Sequence, residues 1–189
     1  MLKEESVFFK NKLISPGFTS HKILMKVIRD FPCRIEEIKH VWIPMTDGCR
    51  LSARIWRPKD SHQNPVPAIL EYIPYRKNDG TALRDSLIHP YFAGHGYAAV
   101  RVDLRGSGDS EGILEGEYLQ QELEDGIEVL EWISKQSWCD GNLGMMGKSW
   151  GGFNSLQVAA LQPKPLKAII TVCSTDDRFS DDVHYMGGL

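Results

Sequence analysis

The sequence predicts an α/β fold on a mostly parallel sheet, opened by an N-terminal hairpin. Three observations carry that prediction. Two β-rich runs, residues 41–45 and 51–56, are joined by Thr46-Asp47-Gly48, and Asp-Gly supplies the positive φ that a tight hairpin turn needs. Four more strand-like apolar runs follow. Segments of helical period fall between them, and strands alternating with helices imply a parallel sheet.

Each element has its own signal. Pro65 and Pro67 punctuate a loop, and residues 68–75 (AILEYIPY) read as the third strand. Residues 81–95 read as a loop with a short helix. Residues 98–104 (AAVRVDL) form the fourth strand. Leu119, Leu123, Ile127, Leu130 and Ile133 then recur at three- and four-residue steps, an apolar stripe of helical period. Residues 143–146 make a fifth strand, and the run after Ser149 (WGGFNSLQVAALQ) reads as a helix closed by Pro163. Residues 166–173 (LKAIITVC) are the sixth strand, with Cys173 as a small core residue.

Composition narrows the function classes. A chain of 189 residues fits one domain with a core of its own. A formal charge of −3 argues against a nucleic-acid partner held by counterion release. No apolar run approaches the ~20 residues that span a bilayer. The first residues, MLKEESVFFKNKLIS, interrupt every apolar stretch with charge and lack a secretion-signal core. Lysines and few acids across residues 10–29 make a weak case for an organelle leader; a poorly ordered extension or a misassigned start fits better. Cys33, Cys49, Cys139 and Cys173 are scattered, with no C-x-x-C pair and no histidine at ligand spacing, so no metal is expected. They read as reduced thiols in a cytoplasmic setting.

Gly147-Lys148-Ser149-Trp150-Gly151 matches G-x-S-x-G, and Gly152 follows. This chemistry needs a serine on a tight strand-to-helix turn that exposes its hydroxyl. Flanking glycines avoid Cβ clashes, and the helix N-terminus aims N–H groups at a developing oxyanion. A short apolar strand precedes Ser149 and a helix follows it, so Ser149 is the candidate nucleophile. Gly108-Asp109-Ser110-Glu111-Gly112 matches the same pattern without that context and reads as a Gly-rich surface turn. Residues 142–149 resemble a phosphate-binding loop, but Asn142 stands where the first glycine belongs and the middle is apolar strand. Residues 106–112 have one residue too many for a dinucleotide turn, and their acids oppose a pyrophosphate. No cofactor is expected.

Assembled, these segments resemble the cocaine-esterase and X-Pro dipeptidyl-peptidase branch of the α/β-hydrolases, the CocE/NonD hydrolases. The carriers, in order, are VWIPMTDGCRLSARIWRP, LEYIPYRKNDGT, VRVDLRGSGDSEG, WCDGNLGMMGKSWGGFNSLQ and DDVHYMGGL. The resemblance implies an α/β-hydrolase fold and a serine hydrolase acting on ester or amide bonds, X-Pro dipeptide bonds among them. It implies that Tyr75, in Pro74-Tyr75, offers its hydroxyl to the oxyanion beside the backbone N–H of Trp150. Asp103, Arg105 and Gly106 read as loop support, and Trp138 and Cys139 as packing before the nucleophile strand.

In such a fold the triad runs serine, acid, histidine along the chain. The resemblance places the acid and histidine beyond a helical cap, whereas only residues 150–189 follow Ser149. The expected organisation is therefore an N-terminal extension over 1–33, poorly ordered, then the first part of a catalytic domain over 34–175. The start of a cap insertion occupies 176–189, so the fold is truncated after about the sixth strand. The triad acid and histidine are expected to be absent. The resemblance places His184 at the start of the cap, and Asp176, Asp177, Asp181 and Asp182 cluster around Arg178 as a solvated face or a salt-bridged turn. Without a base, a serine hydroxyl has little nucleophilicity at neutral pH. Three readings follow: a hydrolase fragment acting on a small ester, amide or peptide; a non-catalytic binding or assembly domain; and one half of a split enzyme. No membrane partner is expected, and an open sheet edge invites self-association.

Overall fold

The computed structural model describes residues 30–182 and His184. The expected extension falls outside the described residues up to residue 29, as do residue 183 and residues 185–189 of the expected cap start. The element order is β1 (Ile35–Pro44), β2 (Arg50–Pro58), β3 (Val66–Ile73), α1 (Ala82–Gly94), β4 (Ala98–Asp103), α2 (Gln120–Ser134), β5 (Cys139–Lys148), α3 (Trp150–Ala160) and β6 (Leu166–Val172). The strands form one sheet in the order β1-β2-β4-β3-β5-β6. β1, β2 and β4 pair antiparallel. β4, β3, β5 and β6 run parallel, so their carboxyl ends share one edge. This is the α/β-hydrolase fold the sequence predicts.

The hairpin turns where Asp-Gly required it. Gly48 has φ +88°, and Asp47 Oδ1 accepts the Cys49 N–H at 2.9 Å. β1 starts earlier than the sequence pattern suggests because a register shift between Ile38 and Val41 breaks the alternation. Its first half is charged, and Glu36 and Glu37 pair with Arg57 and Arg54 of β2. Charge on an edge strand discourages further pairing. β4 lies between two strands and is buried at every position, hence its continuous apolar reading.

The segment 81–95 holds the expected helix, but it is longer than expected: α1 fills 13 residues of it. Its inner face is polar and its apolar stripe faces outward, so the pattern does not mark the buried side. Asp85 and His89 are buried on that face, while Leu83, Leu87 and Tyr91 are exposed on the other. The buried pair meets Glu71 of β3, Arg101 of β4 and Arg84. Arg84 Nη2 lies 2.6 Å from Glu71 and 2.7 Å from Asp85. The His89 ring packs 4.8 Å from that of Trp56.

On the opposite face, α2 buries Val129, Leu130 and Ile133, and α3 buries Phe153 and Val158. Leu70, Val100 and Met145, in register across β3, β4 and β5, form the centre of the core. β6 is the far edge and leaves Ile170 63% exposed. Among the described residues, no helix is long and apolar enough to cross a membrane.

Candidate active site

Ser149 sits between β5 and α3 with φ +58° and ψ −120°, a conformation that a non-glycine residue adopts only under constraint. The constraint comes from both sides. The Ser149 N–H donates to the Val172 carbonyl at 2.8 Å, and the Ser149 carbonyl accepts from Gly152 and Phe153. The neighbouring glycines serve close packing. A Cβ on Gly147 would lie 2.1 Å from the Gly151 backbone, and one on Gly151 would lie 2.5 Å from Ile73 Cγ2. The strained φ therefore falls on the serine, and the glycines let strand, turn and helix approach. Trp150 opens α3, so its N–H is among the first-turn donors without an intrahelical acceptor.

Tyr75 lies two residues past β3, 38% exposed, at the carboxyl edge that also carries Ser149. Its loop is held by buried charge. Asp103 Oδ1 accepts the Lys77 N–H at 2.9 Å, and its Oδ2 accepts the Asp109 N–H at 3.3 Å. Arg101 Nη1 stands 3.3 Å from Asp103, and Lys77 Nζ reaches Asp109 at 2.6 Å. Burial pushes the Asp103 carboxyl above its usual value, against the pull of Arg101 and the two N–H donors. Arg105 works elsewhere, binding Asp125 at 2.7 Å and Asp47 at 2.8 Å to tie α2 to the hairpin. Ser110, in the second G-x-S-x-G, donates to the Asp103 carbonyl and accepts from the Ser52 N–H. Both contacts are structural.

A cleft of about 340 Å³ opens beside Ser149, lined also by Phe153, Cys173, Ser174, Thr175, Asp181, Asp182 and His184. Tyr75 and Trp150 are not among its lining residues. Cys173 corrects the sequence reading: β6 ends at Val172, the chain turns with φ +55° at Cys173, and the thiol is exposed in the cleft wall rather than in the core. All four cysteines are free. Trp138 is buried just before β5, and Cys139, also buried, opens the strand. Arg178 pairs with Asp182 at 2.9 Å, and its guanidinium lies between the rings of Tyr118 and Phe153, 4.4 and 4.5 Å from their centroids. Tyr118 packs on Trp150 at 5.2 Å. Burial, reinforced by the charge of Glu117, pushes the Tyr118 hydroxyl up to about 12. No sequence motif marked Tyr118, which lies in an irregular stretch before α2.

One group among the described residues has metal-ligand geometry: Glu71, Asp85 and His89 bring one donor atom each within 4.8 Å of one another. Arg84 and Arg101 already engage the same carboxylates. Burial raises the Glu71 carboxyl, and His89, Arg84 and Arg101 more than offset it, leaving Glu71 below its usual value. The set is a buried ion network that holds α1 to the sheet. Residues 142–148 belong to β5, so their backbone serves the sheet rather than a phosphate.

The comparisons agree with this architecture. The family model described as X-Pro dipeptidyl-peptidase (S15 family) matches residues 47–189. The chain is 36% identical over 152 residues to cocaine esterase from Rhodococcus sp. (strain MB1 Bresler), covering 79% of this chain and 25% of that protein. It resembles the crystal structure of a CocE/NonD family hydrolase from Staphylococcus aureus with TM-score 0.61 and 31% identity, over 70% of this chain and 26% of that one. An α-amino acid ester hydrolase aligns with TM-score 0.57 and 26% identity, over 82% of this chain and 28% of that one. The chain thus spans about a quarter of the length of these relatives. With a continuous family match from the hairpin turn to the last residue, the chain belongs to the X-Pro dipeptidyl-peptidase (S15) family, among the CocE/NonD hydrolases.

Proposed function

We propose that this protein is a serine hydrolase that cleaves ester or amide bonds through an acyl-enzyme on Ser149. The observation that carries the reading is the constrained serine at the β5–α3 turn, facing a cleft at the carboxyl edge of a parallel sheet. In the reaction, Ser149 Oγ attacks the substrate carbonyl carbon and its proton passes to a base. The carbonyl oxygen becomes an oxyanion that accepts hydrogen bonds from the Trp150 N–H and the Tyr75 hydroxyl. Collapse expels an alcohol or amine, which takes the proton, and water then releases the acyl group by the reverse sequence. The chemistry needs no metal or organic cofactor. The triad acid and histidine come from residues beyond those described, consistent with relatives about four times as long. On this reading, 34–175 is the front of the catalytic domain and 176–189 begins a cap. The substrate is a small ester, amide or X-Pro peptide, the bond classes named by the relatives.

The test is to treat the protein with a fluorophosphonate and map the adduct by mass spectrometry. The adduct is expected on Ser149 and not on Ser110; unmodified Ser149 in a protein that turns over an ester would end the proposal. One observation favours a second arrangement, in which the base lies within this chain: His184 lines the same cleft as Ser149. Labelling lost in the His184→Ala protein supports that arrangement, and labelling kept supports a base from elsewhere. Turnover by the isolated chain that Ser149→Ala abolishes would contradict a non-catalytic domain, whereas silence leaves a fragment and half of a split enzyme both standing.

Tyr75→Phe removes one oxyanion donor and leaves the ring. In the complete enzyme turnover should fall by about 10²-fold with KM little changed, as steady-state kinetics on a p-nitrophenyl ester would show. An unchanged kcat removes Tyr75 from the mechanism.

A further inference from the structure

Glu122 lies in the first turn of α2, almost fully buried, and no sequence motif singles it out. Burying a carboxylate is expensive unless its oxygens are met by donors. Here each oxygen has one. Oε1 accepts the Trp150 indole Nε1–H at 2.6 Å, and Oε2 accepts the Tyr118 backbone N–H at 2.9 Å. The backbone carbonyl of Glu122 accepts the Tyr72 hydroxyl at 3.2 Å, which ties the same turn to β3.

Both partners matter to the cleft. Trp150 follows Ser149 directly and opens α3. Tyr118 has φ +59°, a left-handed conformation that a non-glycine residue keeps only when neighbours fix it. Its ring packs on Trp150 and on Phe153, and Phe153 lines the cleft. One side chain therefore restrains the residue after the serine and the strained residue that backs the cleft wall.

We propose that Glu122 is a positioning residue of the Ser149 elbow, its carboxylate fixing the Trp150 indole and the Tyr118 backbone so that the Trp150 N–H is held beside the serine. The inference rests on the reading of Ser149 as the nucleophile. Glu122 touches no reacting atom and acts through Trp150. The charge matters as well as the shape. An ionised carboxylate accepts at both oxygens, whereas an amide of the same shape presents an NH2 to one of the two donors.

Burial pushes the Glu122 carboxyl above the usual glutamate value, and the Trp150, Asn154 and Tyr118 donors pull it back only in part. The titratable and charged groups around it are Glu117 and Tyr118 on the preceding segment, Asp125 one turn along α2, Tyr72 from β3, and Arg178 beyond Tyr118. α3 contributes Trp150 and Asn154, neither of which titrates. As pH falls, Glu122 takes up its proton before an ordinary glutamate does, and one of the two bonds is lost.

The experiment compares Glu122→Gln, Glu122→Asp and Ser149→Ala with the unaltered protein by two readouts. In ¹⁵N NMR, the Trp150 indole and backbone N–H signals should titrate together on the acid side. Glu122→Gln should shift both and remove the titration. In p-nitrophenyl ester hydrolysis, Glu122→Gln should lower kcat on the order of 10²-fold with KM nearly unchanged, as a small misplacement at the reacting centre does. It should also abolish the matching acid limb of the pH profile. Glu122→Asp, which keeps the charge on a shorter stem, should recover part of the loss. Unmoved Trp150 signals in Glu122→Gln, or a full rate where Ser149→Ala is inactive, overturns the proposal. A full rate in Ser149→Ala instead sinks the nucleophile reading, and the Trp150 signals distinguish that failure from one at Glu122.

Discussion

Ser149→Gly is expected to eliminate hydrolysis and yet make the protein more stable. The activity loss should reach about 10⁴-fold or more, because no other hydroxyl occupies the elbow and only the oxyanion donors and binding remain. The stability change has the opposite sign for a separate reason. At φ +58° and ψ −120° a residue with a Cβ carries strain of roughly 1–3 kcal/mol. Glycine removes that strain, although its freer unfolded chain returns roughly 0.5–1 kcal/mol. A net gain of about 1 kcal/mol should appear as a higher urea midpoint with an unchanged m-value. Ser149→Ala should lose the same activity without gaining stability, since alanine keeps the Cβ. A Ser149→Gly protein no more stable than Ser149→Ala would mean that the backbone is not strained there. The strain would then have no part in presenting the hydroxyl.

The elbow was legible in the sequence because its requirements are local: a short apolar strand, glycines at two fixed offsets and a helix start. The parallel strands were legible for a similar reason, as β4 and β3 are apolar over several consecutive positions. α1 was not, because its buried face is Asp85 and His89 and its exposed face holds Leu83, Leu87 and Tyr91. The usual periodicity is reversed there by partners on β3 and β4, far away in sequence. The cleft was half legible: the motif pointed to Ser149, which lines it, whereas Tyr75, supplied by resemblance alone, is not among its lining residues. Cys173 was assigned to the core because its apolar run gives no sign of where β6 ends. Glu122 and Tyr118 had no local signature, since their role exists only once α2 packs beside the β5–α3 turn.

The second large effect concerns Asp103, whose carboxylate sits at the end of β4 with no exposure. It accepts backbone N–H groups from two loops, at Lys77 and Asp109, and stands against Arg101. A Cβ on Gly108 would meet its Oδ2 at 2.1 Å, so the second loop is wrapped onto the carboxylate itself. Asp103→Ala is expected to cost about 3–5 kcal/mol, because the fully buried Arg101 and Lys77 would lose a counter-charge. That is a large share of the roughly 5–15 kcal/mol that holds a typical domain together. Asp103→Asn keeps one acceptor and the volume, and should cost about half as much. The first loop carries Tyr75, so the damage is not confined to stability. At a urea concentration where both variants stay folded, Asp103→Asn should also slow fluorophosphonate capture at Ser149. A variant that loses stability but captures the probe at the unaltered rate would show that the Tyr75 loop does not depend on Asp103. Slowed capture in proportion to loop disorder, read from the Lys77 and Asp109 amide signals, would tie the buried carboxylate to the proposed oxyanion role of the Tyr75 loop.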